Sequence, residues 1–256
     1  MRINKTIGIS LSGGGARAAA HIGVLQALNE NGIYPDHISG ASGGAVIGAL
    51  YCSGYSPREI LELTMTHSFL KIFKLGIEIK SLTDLSRLKK FLYNHIKTDF
   101  AELTVPLHIS LTNLNRGQWE VENKGNLIDI VVASCAIPLL FHPVKINGNT
   151  YVDGGVLNNL PVEPLIEACE VVVGSNVSGF EELKEISGSL QIAQRCLQLA
   201  IHSNVAPRLE KCDVVFDIKP AYHFGTFEIK KVDELYDIGY QMAIDGMDHL
   251  LELLEQ

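Results

Sequence analysis

Three short stretches of this chain hold the residue types that acyl-transfer chemistry needs. The first is Gly40-Ala41-Ser42-Gly43-Gly44, a G-x-S-x-G pattern between a short apolar run and the helix-like Ala45-Val46-Ile47-Gly48-Ala49-Leu50. A serine on such a strand-to-helix turn is held out from the backbone with its hydroxyl exposed. The small neighbours Gly40 and Gly44 tolerate strained dihedrals and let a substrate approach. The second is Ser12-Gly13-Gly14-Gly15-Ala16-Arg17-Ala18, three glycines between a strand and a helix. Such a loop turns successive N–H groups toward one point and suits an oxyanion. The third is Tyr151-Val152-Asp153-Gly154-Gly155, an aspartate that ends a strand before two glycines. Together they supply a nucleophile (Ser42), donors (Gly13, Gly14, Gly15) and a candidate base (Asp153).

Each stretch has a rival reading. Gly13-x-Gly15-x-x-Ala18 also fits the dinucleotide fingerprint, which wants an acid about 20 residues on, at the end of the second strand. Asp36 is near that distance but follows Pro35, with no strand leading into it. The glycines could equally serve tight helix–strand packing. Asp-Gly is a common turn pair, so the third stretch also reads as a plain turn, Gly154 and Gly155 included. A Ser-His-Asp triad is the alternative to a two-residue device. His202, His223 and His249 follow Asp153 in the order an α/β-hydrolase requires, and His223 lies in a plausible loop. Ser42 comes early for that fold, however, and His21 and His142 read as structural.

The elements that must position these residues alternate along the chain. Thr6 to Leu11 reads as a buried strand ended by glycines, and Ala16 to Asn29 as a helix closed by Asn31-Gly32. Ile38-Ser39 leads into the serine turn, and a helix follows to about Cys52, with Pro57 at the first position of the next. Leu82, Leu85, Leu88, Leu92 and Ile96 keep a helical period. Asn115-Arg116-Gly117 and Asn147-Gly148-Asn149 read as hairpin turns. Asn126 to Ile137 is a helix ending before Pro138, and Val162 to Cys169 a helix before the strand Val171–Val173. Ser189 to Val205 is a helix, Val214 to Ile218 a strand, and Val232 to Leu254 one long terminal helix. The alternation predicts an α/β fold: three layers, a mainly parallel central sheet with helices on both faces, in a single domain over 1–256.

Bulk properties narrow the function class. The chain has 256 residues, 46% hydrophobic and 20% charged, enough for a substantial core and too apolar for disorder. A net charge of −8 disfavours nucleic acid as a partner. Cys52, Cys135, Cys169, Cys196 and Cys212 are odd in number without C-x-x-C spacing. They read as reduced thiols of a cytoplasmic protein, not as a disulfide framework or metal site. No metal-binding motif is visible and no cofactor is expected. The N-terminal apolar run is too short for a signal peptide, and no run reaches the length of a membrane span.

The three motifs, in this order, resemble the patatin-like phospholipase family. The resemblance rests on Gly13-Gly14-Gly15-Ala16-Arg17, the Gly40–Gly44 turn and Asp153-Gly154-Gly155. The runs Ala133–Pro138 and Asn158–Val162 support it, and together the matching residues span roughly 5–165. The resemblance implies a Ser42–Asp153 dyad, an oxyanion hole from Gly13, Gly14 and Gly15, and hydrolysis of fatty-acyl esters of phospholipids, lysophospholipids or glycerides. A free carboxylate is a weak base, so Asp153 is expected to be partly desolvated with a raised pKa. The family often has glycine where this chain has Ala18; a helical position would accept the alanine. Arg17 is expected to meet a phosphate headgroup or to pair with an acid near the loop. The basic run Phe69–Ile77 fits either a flap that touches a lipid surface or a solvated helix edge, the former allowing peripheral membrane contact.

Overall fold

Ile7–Leu11 (β1) is buried along its whole length, and its two faces differ. Ile7, Ile9 and Leu11 enter the main core, while the smaller Gly8 and Ser10 point the other way. A strand covered on both faces belongs in a parallel sheet between helical layers. The structure, a computed structural model, describes residues 5–66, 84–179 and 182–255. The basic run 69–77 and Leu82 lie outside the described residues.

The strands that follow are His37–Gly40 (β2), Leu107–Asn113 (β3), Gln118–Glu122 (β4), Val144–Ile146 (β5), Asn149–Asp153 (β6), Val171–Asn176 (β7) and Val214–Asp217 (β8). They form one sheet in the order β5-β6-β3-β2-β1-β7-β8, with β4 paired to β3. β3, β2, β1, β7 and β8 run parallel. β4, β5 and β6 add the antiparallel pairings at one side. The hairpin turn between β5 and β6 uses positive φ at Asn147 (48°) and Gly148 (81°), the left-handed pair that an Asn-Gly turn provides.

Helices cover both faces. They are Ala19–Glu30 (α1), Gly43–Cys52 (α2), Pro57–Thr64 (α3), Ser86–His95 (α4), Leu127–Ser134 (α5), Glu163–Ala168 (α6), Ser189–Leu209 (α7), Val232–Asp245 (α8) and Met247–Glu255 (α9). Among the described residues, no helix is long and apolar enough to cross a membrane. The main core joins α1, α2, α5 and α8 to the face that carries Ile9, Ile38 and Val173. A smaller cluster of Leu160, Val162, Leu165, Val172 and Val205 packs α6 and the end of α7 on the opposite face. α3 starts with a full capping box, Ser56 with Glu59, and Pro57 at its first position. The expected helix from Ala16 begins instead as a 3-10 turn over Gly15–Ala18. Ala18 sits there at φ −60°, so alanine carries no strain. The terminal helix is two helices, broken at Gly246, where a side-chain carbon would come within 2.9 Å of the Phe216 ring.

Strand β3 sets the geometry of the site. β4 occupies one edge of β3 from Ile109 to Asn113. β2 and β6 therefore share the other edge, β2 along Leu107–Ile109 and β6 along Leu111–Asn113. β2 is parallel to β3 and ends at Gly40 opposite Ile109; β6 is antiparallel and ends at Asp153 opposite Leu111. The C-terminal ends of two strands far apart in sequence meet head to head beside Ser110.

Candidate active site

The serine turn follows β2 directly. Ser42 has φ 50° and ψ −121°, a conformation that costs a non-glycine residue about 1–3 kcal/mol. Packing and hydrogen bonds hold it there. The Ser42 N–H donates to Ser134 Oγ at 2.9 Å, and Ser134 Oγ donates to the Ser110 carbonyl at 2.8 Å. Gly44, in the first turn of the following helix, lies against β1, where a Cβ would strike the Leu11 carbonyl. Gly40 closes β2 just under this first turn of α2.

Asp153 arrives from the other direction. Its backbone N–H donates to the Ala136 carbonyl at 3.0 Å, and its Oδ1 accepts from the Gly155 N–H at 2.8 Å. Gly154 carries the chain over the Ser110 carbonyl in a single 3-10 turn. The carboxyl is 4% exposed, and burial raises its pKa to about 6. The Ser42 hydroxyl and the Gly155 N–H oppose that rise without cancelling it. Oδ2 has no partner of ordinary hydrogen-bond geometry among the described residues. The pair is thus adjacent and interacting without a short bond between them; contacts of this kind tighten when substrate binds.

The glycine loop lies at the end of β1. Gly13 departs from its expected place as a donor. Its N–H donates to the Asn159 carbonyl at 3.2 Å, and Asn159 Nδ2 donates back to the Gly13 carbonyl at 3.2 Å. Gly14 and Gly15 N–H donate to no other described residue. Gly15 adopts φ 61°, and a Cβ there would strike the Thr226 carbonyl. Arg17 pairs with no acid among the described residues: it donates to the Gly179 carbonyl at 2.7 Å and to the Gly14 carbonyl at 3.4 Å. It braces the loop against the segment after β7 while one side lines the cavity.

Two further placements decide between readings. Asp36 stands before β2, at the end remote from the glycine loop, and its Oδ2 accepts from the Ile7 N–H. It cannot meet a ribose held at that loop, so the dinucleotide reading loses its acid. His21 is wholly buried, with Nε2 at 2.9 Å from the Ser12 carbonyl and Nδ1 at 2.8 Å from Ser175 Oγ. A carbonyl only accepts, so Nε2 carries the proton and Nδ1 accepts from Ser175. Burial lowers its pKa to about 4, which makes it a neutral structural histidine. His223 lines the same cavity as Ser42, but the groups that set the Asp153 pKa include no histidine.

Asn204 on α7 is the residue that no sequence pattern points to. Its Nδ2 donates to the Gly155 carbonyl at 3.0 Å and the Val156 carbonyl at 3.2 Å, and its Oδ1 accepts from the Asn159 N–H at 2.9 Å. Asn159 in turn holds Gly13. One side chain therefore ties the aspartate turn to the glycine loop. Nothing local marks it, because its partners lie 45 to 49 positions away.

Ser42, Asp153 and the three glycines face one cavity of about 510 Å³. Its far wall comes from α7 and from the stretch Tyr222–Phe227, with Leu197, Ile201 and Phe224 as apolar surface. The only cations on it are Arg17 and Arg195, and Asp153 is the only carboxyl, among the described residues. A second, much smaller cavity of about 40 Å³ touches Ser42 from the core side and is lined by Val46, Ile47, Leu88 and Phe141.

The patatin-like phospholipase family profile matches residues 9–166. The lysophospholipase NTE1 of Kluyveromyces lactis is 26% identical over 287 aligned positions that cover 97% of this chain and 20% of that protein. The lysophospholipase NTE1 of Cryptococcus neoformans is 35% identical over 177 positions, covering 63% of this chain and 10% of that protein. The chain spans a fifth or less of the length of these relatives. Among solved structures, VipD from Legionella pneumophila superposes with a TM-score of 0.52 at 17% identity, covering 95% of this chain and 67% of that one. With a match over more than half of its length, and with the motifs joined at one cavity, the chain belongs to the patatin-like phospholipase family.

Proposed function

We propose that this protein is a serine acyl hydrolase that cleaves fatty-acyl esters of phospholipid type through Ser42 and Asp153. The carrying observation is the head-to-head approach of β2 and β6. It puts a serine on a strained turn beside a buried carboxyl whose Oδ2 has no other partner among the described residues. Ser42 Oγ attacks the ester carbonyl carbon, and its proton passes to Asp153 Oδ2. The carbonyl electron pair moves onto oxygen, where the Gly14 and Gly15 N–H groups stabilise it; one such donor contributes about 3–4 kcal/mol. Collapse breaks the ester C–O bond, and the leaving alkoxide takes the proton from Asp153. Water then attacks the acyl-enzyme, again losing its proton to Asp153, and the fatty acid leaves as Ser42 is restored. A pKa of about 6 leaves Asp153 ionised at neutral pH while making it a stronger base than an ordinary aspartate.

Several features favour a lipid with a phosphate. The cavity offers two guanidinium groups, from Arg17 and Arg195, in a chain of net charge −8. Its volume of about 510 Å³ suits one long acyl chain or one drug-sized ligand. The relatives named lysophospholipase point the same way. A fluorophosphonate probe tests the reading: it should label the native protein on Ser42 and leave Ser42→Ala unlabelled. Equal labelling of the two proteins, or no release of fatty acid from lysophosphatidylcholine and short-chain esters by the native protein, would refute it.

A further inference from the structure

α7 is anomalous for a surface helix. Over its 21 residues, Val205 alone is buried. Its first half is nevertheless apolar on two sides. One stripe, Leu190-Gln194-Leu197-Ile201, runs at i, i+4, i+7, i+11, and its last three residues line the cavity. The other, Ile192-Cys196-Leu199, runs at i, i+4, i+7 and faces away from it. Between the stripes lie Gln191, Arg195 and Gln198, and an apolar stripe on a helix normally packs against other protein. Here Leu190 and Ile192 are each 51% exposed and Leu199 is 46% exposed. Leu183 and Ile186, just before the helix, are also exposed. Five of the thirteen large exposed hydrophobic residues among those described fall between Leu183 and Leu199. Isolated surface leucines need no explanation, but a cluster marks an interaction site.

A second exposed apolar residue lies next to the cavity lining. Leu139 has φ 71°, a conformation that leucine rarely adopts, and is 40% exposed between Pro138 and Leu140, which line the cavity. A strained backbone that turns an apolar side chain outward is seldom kept without a use. The charge pattern identifies what the surface meets. From Ser189 to Ile201 the only formal charge is Arg195, which lies between the two stripes and lines the cavity. The segment before the helix adds Glu182, Lys184 and Glu185 around Leu183 and Ile186; on the helix itself, apolar residues around a single cation match a phospholipid surface, acyl chains beneath and phosphates above.

We propose that the first three turns of α7, with Leu139, form the face by which this protein docks on a phospholipid surface. Ile192 and Leu199 enter the acyl layer, Arg195 meets a phosphate, and the cavity mouth opens toward the lipid. The proposal rests on the reading above that the cavity receives a lipid. It also accounts for why α7 leaves Leu190, Ile192 and Leu199 exposed among the described residues.

Flotation of the full chain with diether phosphatidylcholine vesicles, which offer no ester to cleave, tests it. The native protein should float with the vesicles. The double variant Ile192→Asp/Leu199→Asp should lose at least about tenfold in bound fraction, while its turnover of a water-soluble short-chain ester stays within about twofold. Neither residue lines the cavity, so that turnover reports folding and chemistry independently. Equal flotation of native and double-variant protein overturns the proposal. So does a native dimer in sedimentation that the double variant converts to monomer, which would assign the face to a second copy. Vesicle binding that depends on Ile192 and Leu199 in a protein with no ester turnover would keep the docking face and overturn the chemistry.

Discussion

The inner and outer walls of the cavity are built in opposite ways. The inner wall, formed by the loops after β1, β2 and β6, is buried, and its backbone is tied from several sides. Ser42 is 6% exposed, and its N–H is held by Ser134, itself held by the Ser110 carbonyl. The outer wall is α7, anchored by Val205, Asn204 and the ion pair of Arg208 with Glu163 at 2.8 Å, and otherwise half-buried or exposed. The difference separates two jobs. Bond-making groups need positions fixed to a fraction of an ångström, and only a sheet with its backbone hydrogen bonds satisfied holds them so. A surface that admits a flexible chain needs area and apolar character more than position.

The largest loss should therefore come from the inner wall. Ser42→Ala and Asp153→Asn should each lower kcat by at least about 10⁴-fold on a soluble ester, with folding retained. Asp153→Asn should also raise stability at pH 7, because the buried carboxyl is charged there. Its folded-state pKa of about 6 lies above the unfolded value of 3.8, so the folded state binds the proton more tightly. The contribution of this group to stability is then greatest below pH 3.8 and is lost as pH rises to about 6. A pKa raised from 3.8 to about 6 corresponds to roughly 3 kcal/mol at neutral pH, an upper figure for what the neutral asparagine recovers. Thermal melts of the native protein and of Asp153→Asn at pH 7 and pH 4 measure it: the gap should shrink at the lower pH.

Asn204 stands at the seam between the two walls, and Asn204→Ala should show an intermediate effect. It removes a donor shared by two carbonyls of the aspartate turn and an acceptor for Asn159. A shift of about 1 Å at a reacting group costs up to about 100-fold, so kcat should fall about 10- to 100-fold with KM for a soluble ester nearly unchanged. A rise in KM alone would mean that Asn204 shapes the cavity and leaves Asp153 in place. Acidification should give the next smaller effect. kcat/KM should fall about tenfold from its plateau by pH 5, one unit below the Asp153 pKa, in a stopped assay with a soluble ester.

The same division explains what the amino-acid pattern reveals. Ser42, Asp153 and the glycine loop are legible because strand-to-turn chemistry is local: glycine at the turn, a polar residue at the strand end. The hairpin at Asn147-Gly148 is legible for the same reason. That β2 and β6 meet head to head on β3 is not, because pairing partners such as Leu111 and Asp153 are set by topology and not by neighbours in sequence. Gly13 spends its N–H on Asn159, and the terminal helix breaks where Gly246 meets Phe216. Both partners are distant in the chain. Arg17 meets no acid among the described residues and braces two backbone carbonyls while one side still lines the cavity, an outcome that only the location of Gly179 decides.

The smallest expected effect discriminates most finely between a two-residue and a three-residue device. His223 lines the cavity with Ser42, in a 3-10 turn over Lys219–His223 at the base of the outer wall. In a triad the aspartate orients a histidine, and the histidine takes the serine proton. Here Asp153 feels burial, Ser42 and Gly155, and no imidazole. His223→Ala should therefore change kcat/KM by no more than about threefold and leave the acid limb near pH 6 in place. A loss of about 10³-fold or more, with the limb abolished, would transfer the proton-accepting role to the outer wall.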